Sequence, residues 1–308
     1  MERSMIIRGF VLPFLLVCLL IAGCGGSGGG TDTQVPPVFD KPHALVPESP
    51  GQSVIESDSL LLDLSNIKQG YLTAISRTPD RQINVQLMDP EGINYSYFLE
   101  PQETAVIPFS GGSGNYQLVC YEQVAGSQYA AMLSKQLEIE LENEFLPFLY
   151  PNQYVDFAPD SEAVKLAISM LPDDASDIDA LGAIYDYVIG NTVYDEAKAV
   201  SVEAGYLPDV DETLATGRGI CFDYAALMSA MLRTRGIPCK LMIGYAGDIK
   251  HAWIDVYLLS KGWISKAISF DGKTWTRMDP TFDSSAEDRE MIQEYIGEGS
   301  NYAVQFMR

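Results

Sequence analysis

The sequence predicts an α+β fold in which a small β-sandwich precedes helices packed on an antiparallel sheet. Three observations carry this. Between Ser53 and Leu141, short runs rich in β-branched and aromatic residues alternate with turn signals. Two helical patterns with capping residues follow between Ser161 and Asn191. A further helix then opens abruptly at Cys221 and gives way to strand-like segments after Gly236 and at His251.

At the N-terminus, Arg3 and Arg8 precede an apolar stretch from Phe10 to Ala22 that is too short to cross a bilayer stably as a helix. Residues 1–23 therefore read as a secretory signal. The stretch ends in Ile21-Ala22-Gly23-Cys24, which resembles the bacterial lipobox. That resemblance implies lipidation of Cys24 as the mature first residue and an extracytoplasmic protein anchored to the cell membrane. An ordinary signal peptide cut nearby, with Cys24 a bystander, is the alternative. The Gly25 to Gly30 run and the Pro-rich stretch from Thr31 to Pro50 extend this into a flexible tether over residues 24–50, with His43 expected to be solvent-exposed.

Removing the signal leaves roughly 280 residues, enough for two domains of about 100 to 200 residues each. Hydrophobic residues at 47% supply material for packed cores, and no later apolar run is long enough for a transmembrane helix. A formal charge of −22 and a pI near 4.3 exclude binding to nucleic-acid phosphates and disfavour docking on anionic lipid. Of five cysteines, Cys18 leaves with the signal and Cys24 is expected to be acylated, so Cys120, Cys221 and Cys239 remain. One thiol must then stay unpaired within the monomer. A disulfide between Cys120 and Cys239 stays open.

Residues 51–145 hold seven strand-like runs, including YLTAIS, INVQLMD and YQLVCYE, at roughly twelve-residue spacing. The breaks at Lys68-Gln69-Gly70, Asp89-Pro90-Glu91-Gly92 and Gly111 to Asn115 supply the backbone freedom of tight connections. Nothing in this sandwich has active-site chemistry. Structural support or partner binding is its expected role.

Residues 146–286 form the second predicted domain. An aromatic and proline-rich junction, Phe145 to Tyr154, is expected to pack between the two. Ser161 stands at the N-cap position before EAVKLAISML, and Asp177 before IDALGAIYDYVIGN. After a turn-rich stretch, Gly217-Arg-Gly-Ile-Cys221 passes into a run of helix formers. That places a thiol on the first turn of a helix, where unpaired N–H groups favour thiolate and lower the cysteine pKa. Gly217 and Gly219 would leave room for a substrate backbone. A core cysteine at a buried helix start is the competing reading. His251, one of two histidines in the chain, starts a strand and can offer one ring nitrogen to a thiol and the other to a carboxylate. Asp279 precedes Pro280, which ends the strand there.

These pieces, in order, resemble the core of the transglutaminase-like superfamily, relatives of papain-like thiol enzymes: Gly219 to Cys221, Arg233 to Pro238, Gly244-Tyr245, His251 to Trp253 and Trp275 to Thr281. The resemblance covers roughly Asp177 to Ser284. It implies a papain-like transglutaminase core with Cys221 as nucleophile, His251 as general base and acid, and Asp279 fixing the imidazole tautomer. It further implies an oxyanion site at the Cys221 N–H plus one more donor, for which Tyr194 stands in a similar place; a packed core tyrosine is the alternative. Trp253 lies beside the histidine. Asp223 could tune the site or simply answer the helix dipole. Cys239 reads as core. No residue spacing suggests a metal, and no cofactor is implied.

The resulting expectation is a cell-surface thiol enzyme acting on amide bonds of a protein or peptide, such as cell-wall peptide, through a thioester. Hydrolysis is placed slightly ahead of transglutaminase-type transfer to an amine. A catalytically silent peptide- or cell-wall-binding lipoprotein is the alternative, and a scaffold or adhesin acting through the sandwich is a third reading. Residues 287–308 are expected to form a helical tail that packs on the core, with a pro-segment covering the site as the alternative.

Overall fold

The computed structural model describes residues 34–246, 249–270, 275–277 and 302–308. Eight strands make the first half: β1 (Val54–Glu56), β2 (Leu60–Asp63), β3 (Tyr71–Ser76), β4 (Ile83–Met88), β5 (Asn94–Leu99), β6 (Thr104–Pro108), β7 (Gly114–Ala125) and β8 (Gln128–Ile139). They pair antiparallel as two four-stranded sheets, β1-β2-β3-β6 and β5-β4-β7-β8. Alternation sets which face turns inward: β5 buries Tyr95, Tyr97 and Leu99 and leaves Asn94 and Phe98 outside. Leu62, Leu72 and Ile107 of one sheet share a core with Val85, Tyr97 and Leu118 of the other, which makes a sandwich. All seven sequence runs lie on or overlap these strands; β1, with the pattern Val-Ile-Glu, is the addition.

The second half begins with α1 (Glu162–Ser169), α2 (Asp177–Asn191), β9 (Val193–Tyr194), α3 (Glu196–Ser201), α4 (Val210–Thr216), β10 (Arg218–Gly219) and α5 (Cys221–Thr234). A five-stranded antiparallel sheet follows, ordered β14-β13-β12-β11-β15, from β11 (Cys239–Ala246), β12 (Ile249–Leu258), β13 (Gly262–Phe270), β14 (Trp275–Arg277) and β15 (Tyr302–Met307). Helix α5 is apolar on nearly every face and is buried from Asp223 to Thr234, so it is the axis of this core rather than a surface element. Its Leu227 and Met231 share that core with Leu241 and Ile254 of the sheet and Leu181 and Ile184 of α2.

Helix starts differ in detail from the sequence reading. The hydroxyl of Ser176, not Asp177, caps α2 by accepting the Asp179 N–H at 3.1 Å. Ser161 stands at the N-cap of α1, but Asp211 of α4 reaches over to accept the Glu162 and Ala163 N–H groups at 3.1 and 3.0 Å. A carboxylate from elsewhere in the chain satisfies those donors better than a local hydroxyl, and only the tertiary fold can supply it.

Two expectations are corrected. Residues 34–50 are not a free tether. His43 N–H donates to Thr234 O at 2.9 Å, Ala44 is buried in the helical core, and the Phe39 ring lies against Gly236. Further along, Glu48 N–H donates to the Tyr71 hydroxyl at 2.9 Å. Pro36, Pro42 and Ala44 are what this strap buries, while Val35, Val38 and Val46 stay exposed. The described part of the predicted helical tail is a strand: β15 pairs antiparallel with β11, its Tyr-Ala-Val-Gln-Phe-Met pattern suiting a pleated edge. Residues 24–33 of the tether, the signal segment and residues 287–301 lie outside the described residues.

The aromatic junction fills the seam between the two cores. Phe145 and Phe148 pack on Trp263 at ring-centroid distances of 5.9 and 5.5 Å, Tyr150 on Tyr71 at 4.7 Å and Tyr154 on Tyr97 at 5.7 Å. Arg233, at the end of α5, ties the seam from within. Its fully buried guanidinium donates to Cys239 O at 2.8 Å, Tyr150 O at 2.7 Å and Arg308 O at 3.1 Å. Cys120 and Cys239 are both free thiols in different cores, so they do not pair. Burial raises each thiol to about 12.

Candidate active site

The loop before α5 presents Cys221. Gly217 ends α4 in the left-handed region at φ 61°, and a Cβ there would meet Asn191 O at 2.8 Å. Gly219 follows on β10, which runs parallel to β9 with Gly219 opposite Tyr194. A Cβ on Gly219 would lie 2.7 Å from the Asp223 Cβ. Both glycines thus make room for the protein's own atoms rather than for a substrate backbone.

Cys221 occupies the first turn of α5 and is partly exposed, whereas Cys120 and Cys239 are buried. The backbone N–H groups of Ala252, Phe222 and Cys221 itself lie close enough to its sulfur to favour the charged form. Ala252 follows His251 on β12, so the sheet brings the residue next to the histidine into direct contact with the thiol. His251 is buried on β12, and its ring stacks against Trp253 with centroids 6.1 Å apart. The two are i and i+2 on one strand and share a face. Gly244, opposite His251 on β11, is needed here: a Cβ would collide with the Ala303 carbonyl oxygen and stand 3.0 Å from the edge of the Trp253 ring. The Gly-Tyr pair thereby admits both β15 and the tryptophan that backs the histidine.

The expectation of a lowered thiol pKa does not hold in the resting site. Burial pushes the Cys221 thiol above its ordinary value; the three N–H donors oppose this, and the Asp223 carboxylate adds to it. Burial and then the charges of Cys221, Glu196 and Asp223 raise the Tyr194 hydroxyl, so it keeps its proton at neutral pH as an O–H donor on the strand opposite Gly219.

Asp223 is more than a first-turn carboxylate. It is fully buried and accepts the Ile220 N–H at 2.7 Å and the Tyr206 hydroxyl, and it pairs with the Lys198 ammonium at 2.9 Å. Lys198 in turn donates to the Tyr206 hydroxyl at 2.6 Å. Lys198 and Tyr206 were not singled out by sequence; both fall in the turn-rich stretch after Tyr194, and a lone lysine on a six-residue helix gives no pattern to read. Phe222 lies between Tyr154 and Tyr206, with ring centroids 6.3 Å from each. Strand β14 stops two residues short of Asp279, which lies outside the described residues, as does Cys24. Among the described residues no cluster of three or more His, Cys, Asp or Glu is placed to hold a metal ion. No described helix is long and apolar enough to cross a membrane.

Comparison with known proteins agrees with this architecture. Residues 165–280 match the family model of the transglutaminase-like superfamily. The uncharacterised Bacillus subtilis (strain 168) protein YebA is 24% identical over 182 residues, 52% of this chain and 25% of that protein, so the chain spans about a quarter of this relative. A candidate cysteine protease from Cytophaga hutchinsonii is 18% identical, covering 69% of this chain and 67% of that one with a TM-score of 0.34. A candidate protease from Parabacteroides distasonis ATCC 8503 is 12% identical, covering 67% and 62% with a TM-score of 0.29. Scores this low say nothing about the site, and the assignment rests on the family match with the helix-and-sheet core that carries it. What residues 165–280 of this chain are similar to is the transglutaminase-like superfamily.

Proposed function

We propose that this protein is a thiol enzyme acting on amide bonds of peptide or protein substrates, with Cys221 as nucleophile, His251 as general base and acid, and Asp279 orienting the imidazole. The observation that carries the reading is the Ala252 N–H on the Cys221 sulfur, which sets the nucleophile against the residue following the histidine. Because burial keeps the resting thiol protonated, its proton must leave as the sulfur attacks, and His251, the residue before Ala252, is the base we assign. A sulfur–carbon bond then forms, the amide carbon–nitrogen bond breaks, and the proton passes through His251 to the leaving amine. Water resolves the thioester to a carboxylic acid, or a primary amine resolves it to a new amide. The Cys221 N–H and the Tyr194 hydroxyl would steady the oxyanion.

The lipobox-like sequence ending at Cys24 supports a location on the outer face of the cell membrane, tethered by lipid, where cell-wall peptide would be an accessible substrate. No nucleic acid is expected as a partner for a chain of charge −22.

The test is alkylation of the signal-free protein lacking Cys24 by a small thiol reagent across pH, beside His251→Ala and Cys221→Ala. His251→Ala is expected to slow Cys221 labelling near pH 7 by more than about tenfold. Equal rates in wild type and His251→Ala would put a silent peptide- or cell-wall-binding domain ahead. Ammonia release from peptide amides with and without a primary amine then separates hydrolysis from transfer.

A further inference from the structure

An acid two residues after a nucleophilic thiol works against it, since a buried carboxylate raises the cost of forming a thiolate nearby. Asp223 is nevertheless fully buried there. Its three partners state what it does. The Ile220 N–H fixes the residue from which α5 starts, and the Tyr206 hydroxyl and Lys198 ammonium draw in the stretch from α3 to Tyr206 as a wall beside the site. Gly219 has no side chain, which leaves the space Asp223 fills. The two ends of the wall are Tyr194, opposite Gly219 on β9, and Tyr206, against the Phe222 ring.

On the reading that Cys221 is the nucleophile, we propose that Lys198, Asp223 and Tyr206 form a charge-compensated clamp. Asp223 positions the nucleophile turn, and Lys198 cancels its charge so that the thiol can still ionise. Lys198 is the only cation shown paired with Asp223 among the described residues. Among the described residues, the titratable groups placed near this turn besides the clamp are the Tyr194 hydroxyl on β9, which feels the charges of Cys221 and Glu196, and His251 on β12, next to Ala252. Arg218 is turned to Asp195 at 3.2 Å, and Tyr224 donates to Thr192 O at 2.7 Å, so neither replaces Lys198. Burial lowers the Lys198 ammonium, but its bonds to Tyr206 and Asp223 outweigh this and hold it above its ordinary value, keeping it charged across the working range. These three are positioning residues and touch no reacting atom.

The experiment is the pH profile of Cys221 alkylation in Lys198→Met, Lys198→Arg and the double variant Lys198→Met with Asp223→Asn, each checked for folding by circular dichroism. Lys198→Met strands the carboxylate charge, so the labelling midpoint is expected to move up and the rate near neutral pH to fall roughly three- to tenfold. Lys198→Arg keeps the charge and is expected to restore the profile. The double variant removes both charges and is expected to return the midpoint toward wild type, and it remains testable if the single variant fails to fold for want of a counter-charge. A clamp of shape alone would change rates without moving the midpoint. An unmoved midpoint in Lys198→Met, or a double variant shifted upward from wild type by the same amount, overturns the proposal. Loss of the His251 dependence of labelling would instead remove the catalytic reading, and the comparison among Lys198 variants is read independently of it.

Discussion

The two halves of the molecule handle buried charge differently. In the sandwich, the buried carboxylates are satisfied mostly within a few residues. Asp89 accepts the N–H groups of Glu91 and Ile93, both at 2.9 Å. Asp63 accepts the Ser65 N–H at 2.9 Å and reaches out only to Gly51 at 2.7 Å. In the papain-like half, buried charges join distant segments: Asp223 gathers Lys198 and Tyr206, and Arg233 reaches residues 83 and 75 positions away. A sandwich can be held by pairing and apolar alternation alone, with polar groups confined to its turns. A thiol site needs loops from separate parts of the chain fixed against one another, and buried ionic hubs do that at the cost of desolvation.

The sharpest way to break this contrast is Arg233→Ala. It removes donors from three buried or half-buried carbonyls and leaves a void at the end of α5. A loss on the order of 3 to 5 kcal/mol is expected in urea unfolding, with only partial recovery in Arg233→Lys, whose single ammonium cannot fork to all three carbonyls. A loss under about 1 kcal/mol would mean the long-range hub is dispensable.

A smaller effect, aimed at the site, is expected from Gly219→Ala. The new methyl would press on the Asp223 Cβ at 2.7 Å, so either β10 or the first turn of α5 must shift. About 1 to 3 kcal/mol of stability should be lost, together with a change in Cys221 labelling out of proportion to it. Unchanged labelling in the folded variant would show that the turn carrying Cys221 is set without Asp223.

Much of this was legible because local rules decided it. The seven strand runs and the helix that opens at Cys221 follow from period and turn chemistry, and the ordered Gly-x-Cys, Gly-Ile-Pro and His-Ala-Trp motifs carry the resemblance to the transglutaminase-like superfamily. What sequence did not reveal depended on distant partners. The strap over residues 34–50 reads as a spacer until Thr234 and Gly236 offer it a surface, and β15 reads as a tail until β11 offers it an edge. The sign of the Cys221 shift was misjudged for the same reason: a helix start favours thiolate, but burial, which no local motif reports, outweighs it. Asp223 reads in sequence either as tuning the site or as answering the helix dipole, and nothing near it announces Lys198.

The sandwich side of the comparison is tested by the weakest of these effects. Asp63 is buried, and burial raises its carboxyl; the bonds from Ser65 and Gly51 outweigh that and leave it below its ordinary 3.8. A depressed folded-state value means that the ionised form stabilises the fold, fully so above the unfolded value, and that this contribution fades as pH falls through the folded one. Asp63→Asn should therefore cost roughly 1 kcal/mol at pH 7, because an amide cannot accept from donors on both sides. The gap from wild type should hold down to about pH 5 and shrink below pH 4 as the wild-type carboxylate is itself protonated. The measurement is urea unfolding of both proteins at several pH values. Because the Gly51 bond anchors the strap where it enters β1, loss of Asp63 should also speed proteolysis near residue 50 while leaving Cys221 labelling untouched, unlike Gly219→Ala. Altered labelling in Asp63→Asn would show that the sandwich and the thiol site are coupled, and that the local bonds of the one half reach as far as the ionic hubs of the other.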